Sequence, residues 1–196
     1  MQTDAVNVLQ RYASLKKEAE TLKQKMKKLE TDTNLIVNTT RFLTSFSEFY
    51  RDKIKNKIEK LANSALAAIF VDKEMEFRII GNKTVRGLNY DIYIYTDKTL
   101  TPLKDCKGGG VLDVISLSLK ISFLKMFPNL RQTMILDEPF RNLDCKRIIP
   151  AVEWLREVSN KLGIQFLIVT HRDEMGEVAD KQIHFELVNG KTVYGS

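Results

Sequence analysis

A long heptad repeat limits what this chain can fold into more than any other feature of its sequence. Apolar or small residues recur at alternating spacings of three and four from residue 5 to residue 43, and neither glycine nor proline occurs before residue 81. This spacing predicts one long helix with a narrow apolar stripe, which a single helix cannot bury without a partner helix. The stripe consists of Ala5, Val8, Tyr12, Leu15, Ala19, Leu22, Met26, Leu29, Thr33, Ile36, Thr40 and Leu43.

The apolar face of the same helix widens between residues 42 and 70. A wide stripe is typical of a helix that packs on a globular core. We therefore expect a coiled-coil arm over residues 1–45 and a globular lobe over residues 46–196. The wider stripe consists of Phe42, Phe46, Phe49, Tyr50, Ile54, Ile58, Leu61, Ala65, Ala68 and Ile69.

Positive charge is concentrated in the first part of the chain. Residues 1–70 hold 13 Lys and Arg against 8 Asp and Glu, which leaves +5 of the formal net charge of +6. A basic arm favours an acidic partner, with nucleic acid as the first candidate. Lys53, Lys57 and Lys60 lie on one face of the expected helix and are candidates for DNA contact, although a merely solvated helix face would show the same pattern.

The composition is that of one globular domain with an extension, at 196 residues and 43% hydrophobic. No apolar run approaches the roughly 20 residues that span a bilayer, and Met1 to Asp4 do not begin a secretory signal. Cys106 and Cys145 are the only two cysteines, so we expect reduced thiols and neither a disulfide nor a zinc site. These features predict a cytoplasmic protein with no membrane partner.

The rest of the chain reads as strands followed by an α/β alternation. Residues 74–80 and 90–95 alternate in polarity, with turn residues at 81–82 and 86–89, and predict a hairpin or meander. The later segments predict an α/β sheet with a final hairpin at Asn189-Gly190. They are a helix over 111–126, a strand over 133–136, a helix over 151–161 with Pro150 in its first turn and Gly163 as its stop, an apolar run over 164–169 typical of a buried parallel strand, and strands over 183–187 and 191–194.

One strand, Met134-Ile135-Leu136, ends abruptly in the two adjacent carboxylates Asp137 and Glu138. Buried strands do not tolerate charge, so this pair must lie where the strand emerges, at the sheet edge where open α/β sheets bind ligands. Two acids there suit phosphoryl transfer, one holding Mg²⁺ through water and the other polarising an attacking water. This is the Walker B pattern of nucleotide hydrolases, while its usual companion, Gly-x-x-x-x-Gly-Lys-Ser/Thr, is absent from the sequence.

Three weaker signals accompany this carboxylate pair. The consecutive glycines Gly108–Gly110 precede a helix, where backbone N–H groups can approach and bind an anion, although a flexible turn would look the same. Asp144 closes the segment Arg141-Asn142-Leu143-Asp144, and His171 follows the apolar run. Each signal is weak alone, and the prediction rests on their order and spacing.

The ordered set resembles the C-terminal lobe of an ABC-type ATPase head. Gly108–Val111 and the helix after them look like the signature motif, Ile135–Pro139 like Walker B, Leu143-Asp144 like the D-loop and Val169–His171 like the H-loop. The preceding coiled coil places the resemblance with the SMC and SbcC-type DNA-repair branch rather than with transporters. It covers residues 1 to about 190 and implies an α/β lobe with a parallel sheet, flanking helices and a small antiparallel hairpin after a long coiled-coil helix.

The resemblance implies a role for each motif residue, with ATP and Mg²⁺ as cofactors. Asp137 would support Mg²⁺, Glu138 would orient the hydrolytic water, and His171 would sense the γ-phosphate. Gly108–Gly110 would cap the γ-phosphate of ATP held by a second head, and Asp144 would lie at the interface between the heads. The family usually has serine at the position of Gly108 and an acid at that of Val111, so the trans cap has less support here.

The resemblance also implies partners. These are a complementary N-terminal lobe with a Walker A motif and coiled coil, a second head, DNA, and an SbcD-like nuclease near the base of the coiled coil. The chain would then be half of a nucleoid-associated ATPase of DNA repair and recombination, hydrolysing ATP only as a composite. The alternative is a non-catalytic coiled-coil scaffold derived from such an ATPase, which the missing phosphate loop and altered signature favour.

Overall fold

The computed structural model describes residues 2–84, 87–106, 108–188 and 190–195. The chain divides into two compact units, one ending at Lys53 and the other beginning at Ile54. Helix α1 (Gln2–Ile69) has the continuous helical conformation that the heptad pattern predicts. The boundary between the coiled-coil arm and the globular lobe at residue 45 stays a prediction.

In the first unit, the apolar stripe of α1 is exposed from Tyr12 onward. Tyr12, Leu29 and Ile36 are each more than 60% exposed, as the prediction of an unpartnered coiled-coil seam requires. The prediction that the wider stripe packs on a core from Phe42 onward is wrong for four of its members, because α1 is the only described element of this unit. These exposed side chains are Phe42, Phe46, Phe49 and Tyr50.

The second unit begins with an antiparallel sheet packed on the end of α1. Its strands are β1 (Met75–Thr84), β2 (Gly87–Thr96) and β3 (Thr99–Pro102), in the order β1-β2-β3. Phe77, Ile79 and Ile94 are buried in one core with residues of α1. The α1 residues fully or almost fully buried there are Ala62, Ala65, Leu66 and Ile69.

The predicted meander is confirmed, but most of the predicted turn residues lie within strands. Gly81 and Asn82 lie inside β1, and the junction between β1 and β2 at residues 85–86 falls outside the described residues. The connection to β3, a strand that the sequence did not indicate, is made by Asp97 and Lys98, at positive φ values of 48° and 61°. Tight hairpin turns of this kind are usually signalled by Asn-Gly, which explains why Asp-Lys was missed.

An α/β segment follows, in the order that the sequence predicts. Its elements are α2 (Gly109–Met126), β4 (Thr133–Asp137), α3 (Cys145–Leu162) and β5 (Gln165–Val169), and β4 pairs with β5 in parallel. Gly163 ends α3 in the left-handed conformation, as predicted.

Helix α3 begins earlier than predicted. Its first residue is Cys145, so Pro150 lies inside the helix rather than in its first turn. Proline at this place removes one intrahelical hydrogen bond. The buried side chains of Ile148 and Ala151 on either side of it pack in the core, which favours the helix over its local propensity.

The β4–β5 sheet is buried on one face only. Leu136 is 5% exposed, whereas Ile135, Leu167 and Val169 are 74%, 48% and 61% exposed. The prediction of a parallel strand is confirmed, but that of a buried one is wrong for Leu167 and Val169, because no described element covers the second face. Strands β6 (His184–Val188) and β7 (Lys191–Gly195) form the predicted hairpin, with every residue exposed.

No helix among the described residues is long and apolar enough to cross a bilayer.

Candidate functional site

The ends of β4 and β5 bring the predicted acid pair and histidine together. The two strands are parallel and in register, with Asp137 opposite Val169. The Glu138 N–H donates to the Val169 carbonyl over 2.9 Å, which extends the pairing by one residue. Asp137, Glu138, Thr170 and His171 therefore lie at one edge of the sheet, and we call these four residues the strand-end site.

Glu138 contacts both Thr170 and His171 within the strand-end site. Its Oε1 accepts the backbone N–H of His171 over 2.9 Å and lies 2.6 Å from Nδ1 of the same residue. Its Oε2 accepts the Thr170 hydroxyl over 3.2 Å. The Glu138 backbone has φ of +44°, which is unusual for a residue with a side chain and is typical of functional turns.

These contacts set the protonation of Glu138. Partial burial acts to raise its pKa, but the hydrogen bonds from the side chain and backbone of His171 and from Thr170 together hold the pKa below its ordinary value. Glu138 is therefore an ionised hydrogen-bond acceptor at neutral pH, which is the state needed to orient a water molecule.

Asp137 is exposed, and its carboxylate makes no hydrogen bond or ion pair with the rest of the described chain. Its carboxylate is thus available to a cation, but the described residues contain no group of three or more His, Cys, Asp or Glu that could hold one. Mg²⁺ takes six oxygen ligands, so Asp137 fits the role of one ligand, direct or through water, and the others must come from elsewhere.

A cleft of about 520 Å³ lies between α2 and the end of β4. Asp113, Ser116 and Lys120 line it from α2, and Asp137 and Glu138 line it from the strand end. The helix that begins at the glycines thus faces the strand-end site.

We call Gly108–Gly110 the glycine corner. Both the backbone conformation and the neighbouring side chains favour glycine there. Gly108 has φ of +144° and is exposed. A Cβ on Gly109 would lie 2.7 Å from Cβ of Asn142, and a Cβ on Gly110 would lie 2.8 Å from Cδ1 of Leu143. Gly109 and Gly110 therefore let α2 approach the loop after Glu138 closely, which is a packing reason for glycine independent of any ligand.

Asp144 occupies the N-cap position of α3, and its side chain is 50% exposed. Its carboxylate pairs with Arg147, which also binds Asp72 over 2.6 Å and lies over the ring of Phe70. The hydrogen bond from Arg147 is the main cause that lowers the pKa of Asp72. The partly exposed Asp144 is thus held in a fixed orientation at the start of α3.

Lys53, Lys57 and Lys60 are all exposed, and none forms an ion pair within the described parts of the chain. Lys55, which the sequence analysis did not select, is 3.9 Å from Glu59. The DNA-contact role of the three lysines stays a prediction.

Sequence reasoning missed several residues that organise the site. Thr170 binds Glu138, and Arg172 donates to the Arg141 carbonyl over 3.0 Å. Asp113 accepts two hydrogen bonds from Asn142. A signal for Asp113 did exist, because it is the one acid in the mainly apolar start of α2.

A long helix that leads into an α/β lobe also occurs in solved SMC head domains, to which this chain is similar in fold. An Smc head domain with coiled coil and joint from Pyrococcus yayanosii matches with a TM-score of 0.62 and 21% identity over 89% of this chain and 33% of its own. A chain studied for ATP-driven dimerisation and DNA-stimulated activation of SMC ATPases matches with a TM-score of 0.59 and 19% identity over 76% of this chain and 87% of its own. At these identities the matches show the fold.

Among curated proteins, the DNA double-strand break repair Rad50 ATPase of Sulfolobus acidocaldarius is 27% identical over 134 residues, 68% of this chain and 14% of the relative. A LolD lipoprotein-releasing ATP-binding protein of Rhodopseudomonas palustris is 37% identical over 68 residues, 35% of this chain and 28% of the relative. No family model matches the chain. The chain resembles the C-terminal lobe of an SMC/SbcC-type ATPase head with part of its coiled coil, and it spans only a small part of these curated relatives.

Proposed function

We propose that this chain is the C-terminal half of an SMC/SbcC-like ATPase that binds and hydrolyses ATP only together with a Walker A-containing lobe. The observation that carries the proposal is the strand-end site, where Glu138 is held ionised beside the unpaired Asp137. The site stands on a parallel sheet that is covered on one face only.

The open sheet face supports a complementary lobe. Parallel sheets are normally covered on both faces, yet Ile135, Leu167 and Val169 are exposed. A Walker A-containing lobe, on the same polypeptide or on another, would cover this face and supply the phosphate loop that the sequence lacks. Its coiled coil would bury the exposed stripe of α1.

The residues present fit the implied cofactors. Bound ATP with Mg²⁺ would supply the transferable phosphoryl group, and Asp137 would be one of the ligands of the metal. Glu138 would accept a hydrogen bond from the attacking water and orient it, while His171 would hold Glu138 and contact the γ-phosphate. In a dimer of two heads, the N–H groups of the glycine corner would cap the opposite γ-phosphate, with Asp144 at the interface.

The proposed biological role is action on DNA in repair or recombination, in the cytoplasm and associated with the nucleoid. It is supported by the likeness to a Rad50 repair ATPase and by the positive charge of residues 1–70. An SbcD-like nuclease bound near the base of the coiled coil is part of the proposal.

The test is reconstitution of this chain with a Walker A-containing lobe, encoded in the same gene or in a neighbouring one. Glu138→Gln should lower steady-state ATP turnover by about 100-fold or more, since it removes the water-orienting carboxylate, and should trap an ATP-bound dimer of heads. Glu153→Gln is the matched control, because Glu153 is exposed on α3 with no described partner. Turnover is measured by phosphate release and dimerisation by light scattering.

Two results would overturn the proposal. One is robust Mg²⁺-dependent turnover by the purified chain alone. The other is a reconstituted pair that neither binds ATP nor dimerises, which would favour a non-catalytic scaffold.

The DNA contact needs its own test. Replacing Lys53, Lys57 and Lys60 by alanine should weaken DNA binding by the reconstituted protein and reduce the slope of log K against log salt by up to about 0.9 per lost phosphate contact. The matched control replaces three other exposed lysines of α1, which are Lys23, Lys25 and Lys27. Equal effects of the two triple variants would show only a non-local charge effect.

A further inference from the structure

The loop after the strand-end site, residues 139–144, has an unusual backbone partner. Within the loop, the Arg141 N–H donates to the Glu138 carbonyl over 3.2 Å, and the Leu143 N–H donates to the Phe140 carbonyl over 3.1 Å. The Asn142 N–H instead donates to Oδ2 of Asp113, on α2, over 2.9 Å. The loop is thus fastened by its own turns and by one carboxylate from another element.

Asp113 accepts hydrogen bonds from both the backbone amide and the side-chain amide of Asn142. Besides the backbone bond, Oδ1 of Asp113 accepts a hydrogen bond from Nδ2 of Asn142 over 3.2 Å. Hydrogen bonds to an ionised acceptor are about twice as strong as neutral ones. The two bonds therefore fix the position and the rotation of Asn142 relative to the first turns of α2.

The packing beneath this pair leaves no room for a side chain at Gly109 or Gly110. A single methyl group added to Gly109 would overlap the side chain of Asn142, and one added to Gly110 would lie 3.1 Å from the Asn142 carbonyl. Leu143 is 3% exposed and anchors the next position in the core. The glycine corner and the loop are thus in direct contact.

The opposite side of the loop is tied to the end of β5. Arg172, the residue after His171, donates to the Arg141 carbonyl over 3.0 Å. The loop is therefore held between the helix that begins at the glycine corner and the segment that carries His171. The attachment to that helix consists of the packing at the glycine corner and of the two hydrogen bonds that Asp113 accepts.

We propose that Asp113 is a positioning residue, which locks the 139–144 loop to the glycine corner so that Gly108–Gly110 and Asp144 meet a second head as one rigid surface. The inference rests on the proposed function and gives a role to Asp113, a residue of the helix after the glycines to which the resemblance assigned none. Asp113 does not touch the nucleotide in this assignment. Its loss should therefore weaken ATP-driven dimerisation of heads and leave ATP binding by one head unchanged.

A reversal of the hydrogen bond tests the contact. Asn142→Asp places two carboxylates against each other and should displace the loop. Adding Asp113→Asn restores a donor, since the new amide can donate to the new carboxylate while its oxygen still accepts the backbone N–H. In the full chain, hydrogen exchange at the amide of residue 142 should accelerate by about tenfold or more in N142D and return towards the wild-type rate in D113N/N142D.

The functional readout uses the reconstituted protein carrying Glu138→Gln, with ATP as the ligand. N142D should weaken dimerisation by about tenfold or more, and D113N/N142D should restore it to within about twofold of the parent. Binding of a fluorescent ATP analogue to single heads should be the same in all variants, and urea unfolding checks that each is folded. Glu153→Gln is again the control.

The outcomes separate the two proposals. If the parent protein dimerises with ATP and N142D does so equally well, or if the double variant remains as weak as N142D, the role of Asp113 is wrong and the proposed function stands. If the parent neither binds ATP nor dimerises, the proposed function fails and the role in dimerisation fails with it. The exchange measurement then still decides whether the Asp113–Asn142 contact forms.

Discussion

The two main sheets of the lobe differ in how completely the chain covers them. The β1–β2–β3 sheet buries Phe77, Ile79 and Ile94 against α1, and the side chains of Asn63 and Glu59 bind the backbone of its edge strand. The β4–β5 sheet leaves Ile135 74% exposed. The first sheet is covered by α1, whereas the second, which carries the candidate site, keeps one apolar face exposed among the described residues. Stability and function are thus placed in different parts of one lobe.

The largest expected effect contrasts these two sheets directly. Phe77→Ala, at a fully buried position, should lower the free energy of unfolding by about 3–5 kcal/mol. Ile135→Ala should change it by no more than about 0.5 kcal/mol and instead weaken association with the Walker A-containing lobe. Urea unfolding and a pull-down of the reconstituted pair measure the two effects. A large loss of stability in Ile135→Ala would mean that the second sheet is already covered.

The attachment of the first sheet to α1 gives the next effect. Asn63 accepts the Phe77 N–H over 2.7 Å and donates to the Phe77 carbonyl over 3.1 Å. Asn63→Ala leaves both backbone groups unpaired in a partly buried site and should cost about 1–3 kcal/mol of stability. Asn56→Ala, at an exposed position of the same helix, is the matched control and should be nearly neutral.

At the glycine corner, Gly109→Ala should cost a similar or smaller amount, about 1–3 kcal/mol, because its Cβ would lie 2.7 Å from Cβ of Asn142. Gly195→Ala, which meets nothing within 4 Å, is the control. Thermal unfolding compares the two variants. If Gly109→Ala is tolerated without loss of stability, the close approach of α2 to the 139–144 loop is not required.

The smallest effect concerns the pKa of Glu138. His171→Ala removes one of the hydrogen bonds that hold this pKa down, so the pKa of Glu138 should rise, which carboxyl ¹³C NMR can follow. Because the folded-state pKa is depressed, the stabilisation by Glu138 is present above the ordinary pKa near 4.3 and is lost as the pH falls through the folded-state value. His171→Ala should therefore flatten this acid dependence. An unchanged pKa of Glu138 would mean that groups other than the His171 side chain hold this pKa down.

The sequence predicts well those features that depend on local pattern. The heptad spacing predicts the long helix, and Gly163 predicts where α3 ends. The carboxylates after Leu136 predict the edge of the sheet where His171 also lies. Each of these rests on a rule that acts over a few residues: helical periodicity, the conformational freedom of glycine, or the cost of burying charge.

The features that sequence reasoning missed depend on tertiary contacts. Pro150 lies inside α3 because neighbouring residues are buried there, and the Asp97-Lys98 turn is imposed by the pairing of β2 with β3. The exposed face of β5 could not be foreseen, because an apolar run does not say whether its second cover belongs to the same chain. The pairing of Asp113 with Asn142 joins residues 29 positions apart and has no local signature.

The backbone conformation of Gly108 limits which residues can replace it. At φ of +144°, its backbone is in a region that residues with a side chain rarely adopt. Serine at this position, which the resembled family usually has, would therefore be strained, unless the chain before α2 first changed direction. Other residues at position 108 should accordingly be tolerated only together with changes in the residues that precede α2.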